Sequence, residues 1–98
     1  MIQRIVKMTF DTASVPQFME LFAANKAKIR TFKGCRYLEL LQDRDREGVY
    51  FTRSLWDSAD ELEAYRDSEQ FRNVWAATRR LFTEPPQAWS LNQIDSLK

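Results

Sequence analysis

Among side chains able to do chemistry, the 98 residues include a single cysteine, Cys35, and no histidine. Any reaction here must therefore work without imidazole. One cysteine excludes an internal disulfide and a cysteine metal cluster. With no histidine beside it as a base, Cys35 reads as a small core residue at the start of a strand. Tyr65 and Arg79 remain as a phenol and a fixed cation suited to a bound oxyanion. Arg79 stands one turn after Trp75 and can share its side of a helix. Arg79 and Arg80 also lie where cations complement a helix dipole, which accounts for Arg80 and leaves Arg79 open. Asn25 interrupts an apolar helix stripe and must find hydrogen-bond partners. It reads either as a donor to a substrate oxygen or as an edge position bonded to backbone or water. Trp56, at a strand end, reads either as a wall against a planar aromatic ring or as core. Trp75 sits within an apolar stripe, and its indole is expected to fill space.

Other regions offer less. Asp43 to Glu47 alternates charge and reads as a solvated hairpin loop whose carboxylates lack burial. Gly34 and Gly48 are the only glycines, so no phosphate-cradling loop exists. A net charge of +1 provides no field toward nucleic acid or an anionic membrane. No window has the apolar length of a membrane span, and Met1-Ile2-Gln3-Arg4 does not open a signal peptide. The expectation is one soluble cytoplasmic domain, residues 1–98, with a modest core.

Alternation marks a strand over Ile2 to Phe10, with Val6, Met8 and Phe10 on one face. Ser14, Pro16 and Gln17 form a helix start with Ser14 as N-cap. Phe18, Leu21, Phe22, Asn25 and Ile29 make one buried stripe along that helix. Cys35 to Gln42 and Val49 to Trp56 are two further strands joined by the charged loop. Ser58 and Glu61 form a capping box for a short helix through Leu62 and Tyr65. Ser68 caps another helix, striped by Phe71, Val74, Trp75, Thr78 and Phe82 and stopped by Pro85-Pro86. Ala88 to Ile94 makes the last strand.

The order β-α-β-β-α-β, its second helical region broken near Ser68, is the ferredoxin-like α+β arrangement with an antiparallel sheet. Its helices cover one sheet face, and the other is normally polar. Here Val49, Phe51 and Leu55 share one face of their strand while Tyr50 and Trp56 hold the other. Leu38 and Leu40 likewise alternate with Tyr37 and Leu41. Both faces want cover, so a homodimer with the two sheets face to face, a dimeric α/β barrel, is expected.

Trp56, Ser58, Tyr65, Ser68 and Phe71 match, without gaps, the tryptophan-serine-aromatic-serine-phenylalanine pattern that the haem-degrading branch of the antibiotic-biosynthesis-monooxygenase family carries. The chain resembles that family over nearly its whole length. Where that branch carries its haem-ligating histidine this chain has Trp75, and where it carries an asparagine on the first strand this chain has Val6. Neither side chain ligates iron, which argues against haem degradation. The resemblance then implies a cofactor-independent monooxygenase, with an aromatic-lined pocket between helices and sheet and an electron-rich substrate that itself reduces oxygen. Quinol-oxidising relatives place a histidine in the helix after the tryptophan, and Tyr65 stands near that place. Against relatives that keep a ligand cavity open, Trp75 implies a smaller one.

The function expected is oxidation of a small aromatic or quinol-like molecule. Trp56 and Trp75 are expected to bound its site, Asn25 and Arg79 to contact its oxygen, and Tyr65 to take part in proton transfer. A non-catalytic binder or sensor of small hydrophobic molecules is the rival reading, because histidine is missing. RNA recognition shares the element order, but Gly48 to Arg53 lacks the glycine-aromatic spacing of that fold's third-strand motif and the charge is balanced.

Overall fold

The described part of the chain is residues 1–97 of a computed structural model. Strand β1 (Ile2–Thr9) is followed by α1 (Val15–Arg30), β2 (Cys35–Gln42), β3 (Val49–Trp56), α2 (Ala59–Arg66), α3 (Glu69–Arg79) and β4 (Gln87–Asn92). The four strands form one sheet in the order β2-β3-β1-β4, and every pairing is antiparallel. This is the ferredoxin-like α+β arrangement that the alternation of apolar residues implied.

Register decides which side chains meet. Ile2 pairs with Trp56 and Met8 with Tyr50 across β1 and β3, while Val6 pairs with Ala88 across β1 and β4. Side chains alternate between faces, so Arg4, Val6 and Met8 share the helix-covered face with Tyr50, Thr52, Ser54 and Trp56. Two clusters fill it. Met8, Phe10, Phe18 and Tyr50 form one, and Cys35, Trp56 and Leu62 the other. Phe10 stacks on Phe18 with ring centroids 4.4 Å apart. Tyr50 is thus a core residue, which removes one of the two strand aromatics that an RNA platform would expose.

The local starts and stops differ from expectation in physically informative ways. Ser14 does not cap α1: it is itself helical and makes no side-chain capping bond. Asp11 takes that role one turn earlier, accepting the Ala13 N–H at 3.0 Å in a 3-10 turn that runs into the helix. Ser58 and Ser68 cap as expected, accepting from Glu61 and Phe71 respectively. Helix α3 stops at Arg79, before Phe82, because Phe82 instead bridges Phe10 and Thr83 donates to the Thr9 carbonyl. Phe10 in turn leaves β1 for that bridge. Strand β4 ends at Asn92 rather than Ile94, opposite Ile2 at the start of β1, with one further bond from the Gln93 N–H to the Met1 carbonyl at 3.0 Å.

The opposite sheet face stays uncovered in the single chain. Tyr37, Leu41, Trp89 and Leu91 lie there, each 41% to 46% exposed. At its centre Arg53 donates to Glu39 at 3.0 Å and to Gln3 at 3.1 Å, and stands over the Tyr37 ring. An apolar face with a satisfied polar centre is unusual for a surface meant for water.

Candidate functional site

Between the helices and the covered sheet face lies a cavity of about 340 Å³. Val6, Thr52 and Ser54 contribute to its floor, and Phe22 of α1 to one wall. Tyr65, Phe71 and Trp75 build the opposite wall. They belong to a continuous aromatic run. Trp56 stacks on Tyr65, Tyr65 meets Phe71 edge-on at 5.1 Å, and Phe71 stacks on Trp75 at 5.9 Å. Ser68 locks the corner between α2 and α3 by donating to the Tyr65 carbonyl at 2.6 Å while capping α3.

Trp75 does not fill this space. Its ring lies nearly parallel to Phe71, 11° apart, and meets Phe82 edge-on, so it forms wall and leaves the cavity open. Trp56 is 0% exposed and sits behind the lining, in core. Its indole N–H donates to Ser54 Oγ at 2.9 Å. A serine hydroxyl that accepts there keeps its own proton for another partner, and Ser54 lines the cavity.

Asn25 and Arg79 are not brought to the cavity. The Asn25 amide donates to the Leu21 carbonyl one turn back at 2.8 Å, which meets the hydrogen-bonding demand of a half-buried amide locally. Arg79 is exposed at the end of α3, where the helix dipole favours a cation. Ser54, Arg4 and Arg66, for which the sequence suggests no role, also line the cavity. Parity was the available signal for two of them. Arg4 alternates with Val6 and Met8, and Ser54 with Trp56, so both had to lie on the covered face.

The electrostatics are one-sided. Burial pushes the Tyr65 phenol up to about 12, with the nearby Cys35 adding to the effect. Tyr65 is therefore a neutral hydroxyl near pH 7, able to donate a hydrogen bond into the cavity. Burial first, and the neighbouring Arg66 cation second, hold Arg4 below the usual guanidinium range, with Glu63 acting in the opposite direction. Burial likewise raises the Cys35 thiol, in keeping with a core cysteine. No group of three or more histidine, cysteine, aspartate or glutamate side chains placed to hold a metal occurs among the described residues.

A one-sided antiparallel sheet carrying helices over an open apolar cavity defines a ferredoxin-like α+β domain with room for a small molecule. The chain belongs to the antibiotic biosynthesis monooxygenase family, whose model matches residues 1–77. A comparison with curated proteins returns no match. Solved structures agree on the fold. Rv0793 from Mycobacterium tuberculosis superposes with a TM-score of 0.89 at 22% identity, covering 99% of this chain and 98% of its own. A Caulobacter crescentus CB15 protein carrying the same family designation gives 0.89 at 23% identity, covering 96% and 90%. One from Deinococcus radiodurans gives 0.91 at 11% identity, covering 100% and 97%. Within the described residues no helix is long and apolar enough to cross a membrane.

Proposed function

We propose that the protein is a cofactor-independent monooxygenase acting on a small aromatic or quinol-like substrate, working as a homodimer joined through the uncovered sheet faces. The open cavity walled by Tyr65, Phe71 and Trp75 carries this reading. An engineered apolar cavity of about 150 Å³ takes up benzene, so a space about twice that size suits a molecule of two or three fused rings. For a quinol the balance is one substrate plus O2 giving a hydroxyquinone plus water, both oxygen atoms being reduced by the substrate's own four electrons. The protein's share is then to keep water out, hold the ring flat against the aromatic wall, and donate hydrogen bonds to a developing oxyanion. Tyr65 and Ser54 supply those donors, while Trp56 positions both, by stacking on one and by its indole N–H to the other. The cytoplasm is the setting we propose, on the free thiol of Cys35.

One observation favours the second reading, a binder without turnover. Among the described residues, the cavity lining includes no carboxylate, thiol or amine that could serve as a base. Oxygen consumption separates the two. With a panel of quinols under air, the enzyme should consume oxygen and lose most of that rate in Tyr65→Phe. Tight binding of the same quinols with no oxygen uptake above the protein-free control would make it a binder.

A further inference from the structure

Two arginines line one largely apolar cavity. Arg4 enters from β1 and Arg66 from the last turn of α2, and both belong to the lining. Each is only partly engaged by the protein. Arg4 Nη1 donates to Ser90 Oγ at 2.9 Å, a neutral partner, and among the described residues no carboxylate pairs with it directly, Glu63 acting on it only from a distance. Arg66 Nη1 pairs with Glu63 at 2.9 Å, an exposed pair that solvent screens. Three side-chain polar atoms among the described residues are buried without a hydrogen-bond partner: Glu61 Oε2, Gln70 Nε2 and Arg66 Nε. Only Arg66 belongs to the cavity lining.

A buried guanidinium N–H with no acceptor costs stability, so its retention asks for an occupant that accepts. Burial first and the Arg66 charge second weigh against a charged Arg4, with Glu63 offsetting part of this, and an anion between the two arginines would favour both charged forms. Remaining donors on Arg4 and Arg66 suit a planar oxyanion, for which guanidinium has matched geometry. The rest of the cavity is apolar and aromatic. A neutral hydrocarbon would leave the arginines unanswered, and a small inorganic anion would leave the aromatic wall empty.

We propose that the cavity takes a planar aromatic anion, a phenolate or an arene carboxylate, with its charged oxygen held between Arg4 and Arg66 and its ring against Phe71 and Trp75. This rests on the cavity being the ligand site, as read above, but not on turnover. It also answers the absence of a base: the arginine pair favours the ionised form of a phenol, and the proton goes to solvent water as the ligand is taken up.

Isothermal titration with 2-naphthoate and with its uncharged isostere 2-naphthamide tests the charge preference directly. The wild-type chain should bind the carboxylate at least about tenfold tighter than the amide. Arg4→Gln and Arg66→Gln should each bring the two affinities toward parity by loss of carboxylate binding alone, with Arg66→Lys keeping part of the preference. Circular dichroism confirms that each variant is folded, and the unchanged amide affinity shows that the cavity is intact. Titration of 4-nitrophenol, whose ionisation is read by colour, separates the two anion classes. A bound phenol ionising at lower pH identifies a phenolate site; naphthoate preference without that shift identifies a carboxylate site. Equal affinity for naphthoate and naphthamide, a preference that survives both glutamine variants, or failure of both ligands to bind would overturn the proposal. Because binding is read without oxygen, a lack of turnover would leave it standing.

Discussion

The indole of Trp56 stacks on the ring of Tyr65, with centroids 5.0 Å apart and planes 26° from parallel. Trp56 closes β3, and Tyr65 lies one helix later, facing the cavity from α2. A residue with no exposure thereby fixes one that borders open space. The same indole holds Ser54 through its N–H. One buried side chain thus sets two candidate donors at once.

Removing that side chain should be costly. Trp56→Ala empties a fully buried site in the cluster with Cys35 and Leu62 and leaves Ser54 without its indole donor. Loss of a buried tryptophan to alanine costs about 3–5 kcal/mol. Trp56→Phe retains ring stacking and should cost clearly less. Urea denaturation followed by fluorescence and circular dichroism measures both, and an alanine variant within about 1 kcal/mol of wild type would contradict the packing role.

Tyr65 should leave a signature in alkaline stability. An unfolded tyrosine ionises near 10, whereas burial holds the folded Tyr65 proton to about 12. Between those values the folded state carries the extra proton. Stability contributed by the neutral phenol is therefore complete below pH 10 and falls as pH rises toward 12, by on the order of 1 kcal/mol per pH unit. Other groups titrate in the same range, so the quantity to measure is the difference between wild type and Tyr65→Phe. The phenylalanine variant should lose less stability from pH 9.5 to 11.5; identical pH dependence in the two proteins would show that the Tyr65 proton is not protected by folding.

Much of this architecture was legible in the residues, and the parts that were not have a common cause. Strands β2 and β3 were readable at both ends because Gly34, Gly48 and Ser58 bound them and their apolar residues alternate. The ends that moved, at Phe10, Phe82 and Ile94, depend on partners distant in sequence: Phe10 and Phe82 bridge each other, and β4 stops where β1 runs out. The candidate site shows the same division. Tyr65 and Trp75 follow from helical periodicity and do line the cavity. Asn25 stood out as a polar break in a stripe, yet a bond within its own helix satisfies it, and no local pattern distinguishes that from a ligand contact. Parity puts Arg4 on the covered face, but an arginine is ordinarily solvated, and only the packed layers show that Arg4 and Arg66 border a cavity.

The uncovered sheet face makes a prediction about assembly. Trp89 and Leu91 on β4 share it with Tyr37 and Leu41 on β2, so exposed apolar side chains stand on both edge strands, on either side of the polar centre at Arg53. A charge placed there leaves the helix-covered core untouched but must be desolvated on pairing. Wild type should scatter light as a dimer at micromolar concentration, and Trp89→Lys should shift to the monomer mass with unchanged circular dichroism. A wild-type monomer under those conditions would sink the homodimer.

Gly34 should tolerate no side chain. It enters β2 at a φ of +90°, a conformation that glycine adopts freely and other residues rarely do. A Cβ placed there would meet the Glu61 carboxylate and also the Glu61 Cβ at 2.6 Å. The carboxylate can swing away, but the Cβ is fixed in the first turn of α2, where the Glu61 N–H is held by the Ser58 cap. The Gly34 carbonyl also accepts the Asp57 N–H at 2.9 Å, tying the start of β2 to the approach to α2, so a backbone shift that relieved the contact would strain this link. Backbone strain and overpacking together should cost Gly34→Ala at least about 2 kcal/mol. In a domain of this size that corresponds to a fall in Tm on the order of 10 °C. A thermal melt in which Gly34→Ala stays within about 2 °C of wild type would show that the segment relaxes freely, and that the close approach of Gly34 to α2 does not hold the β2 entry in place.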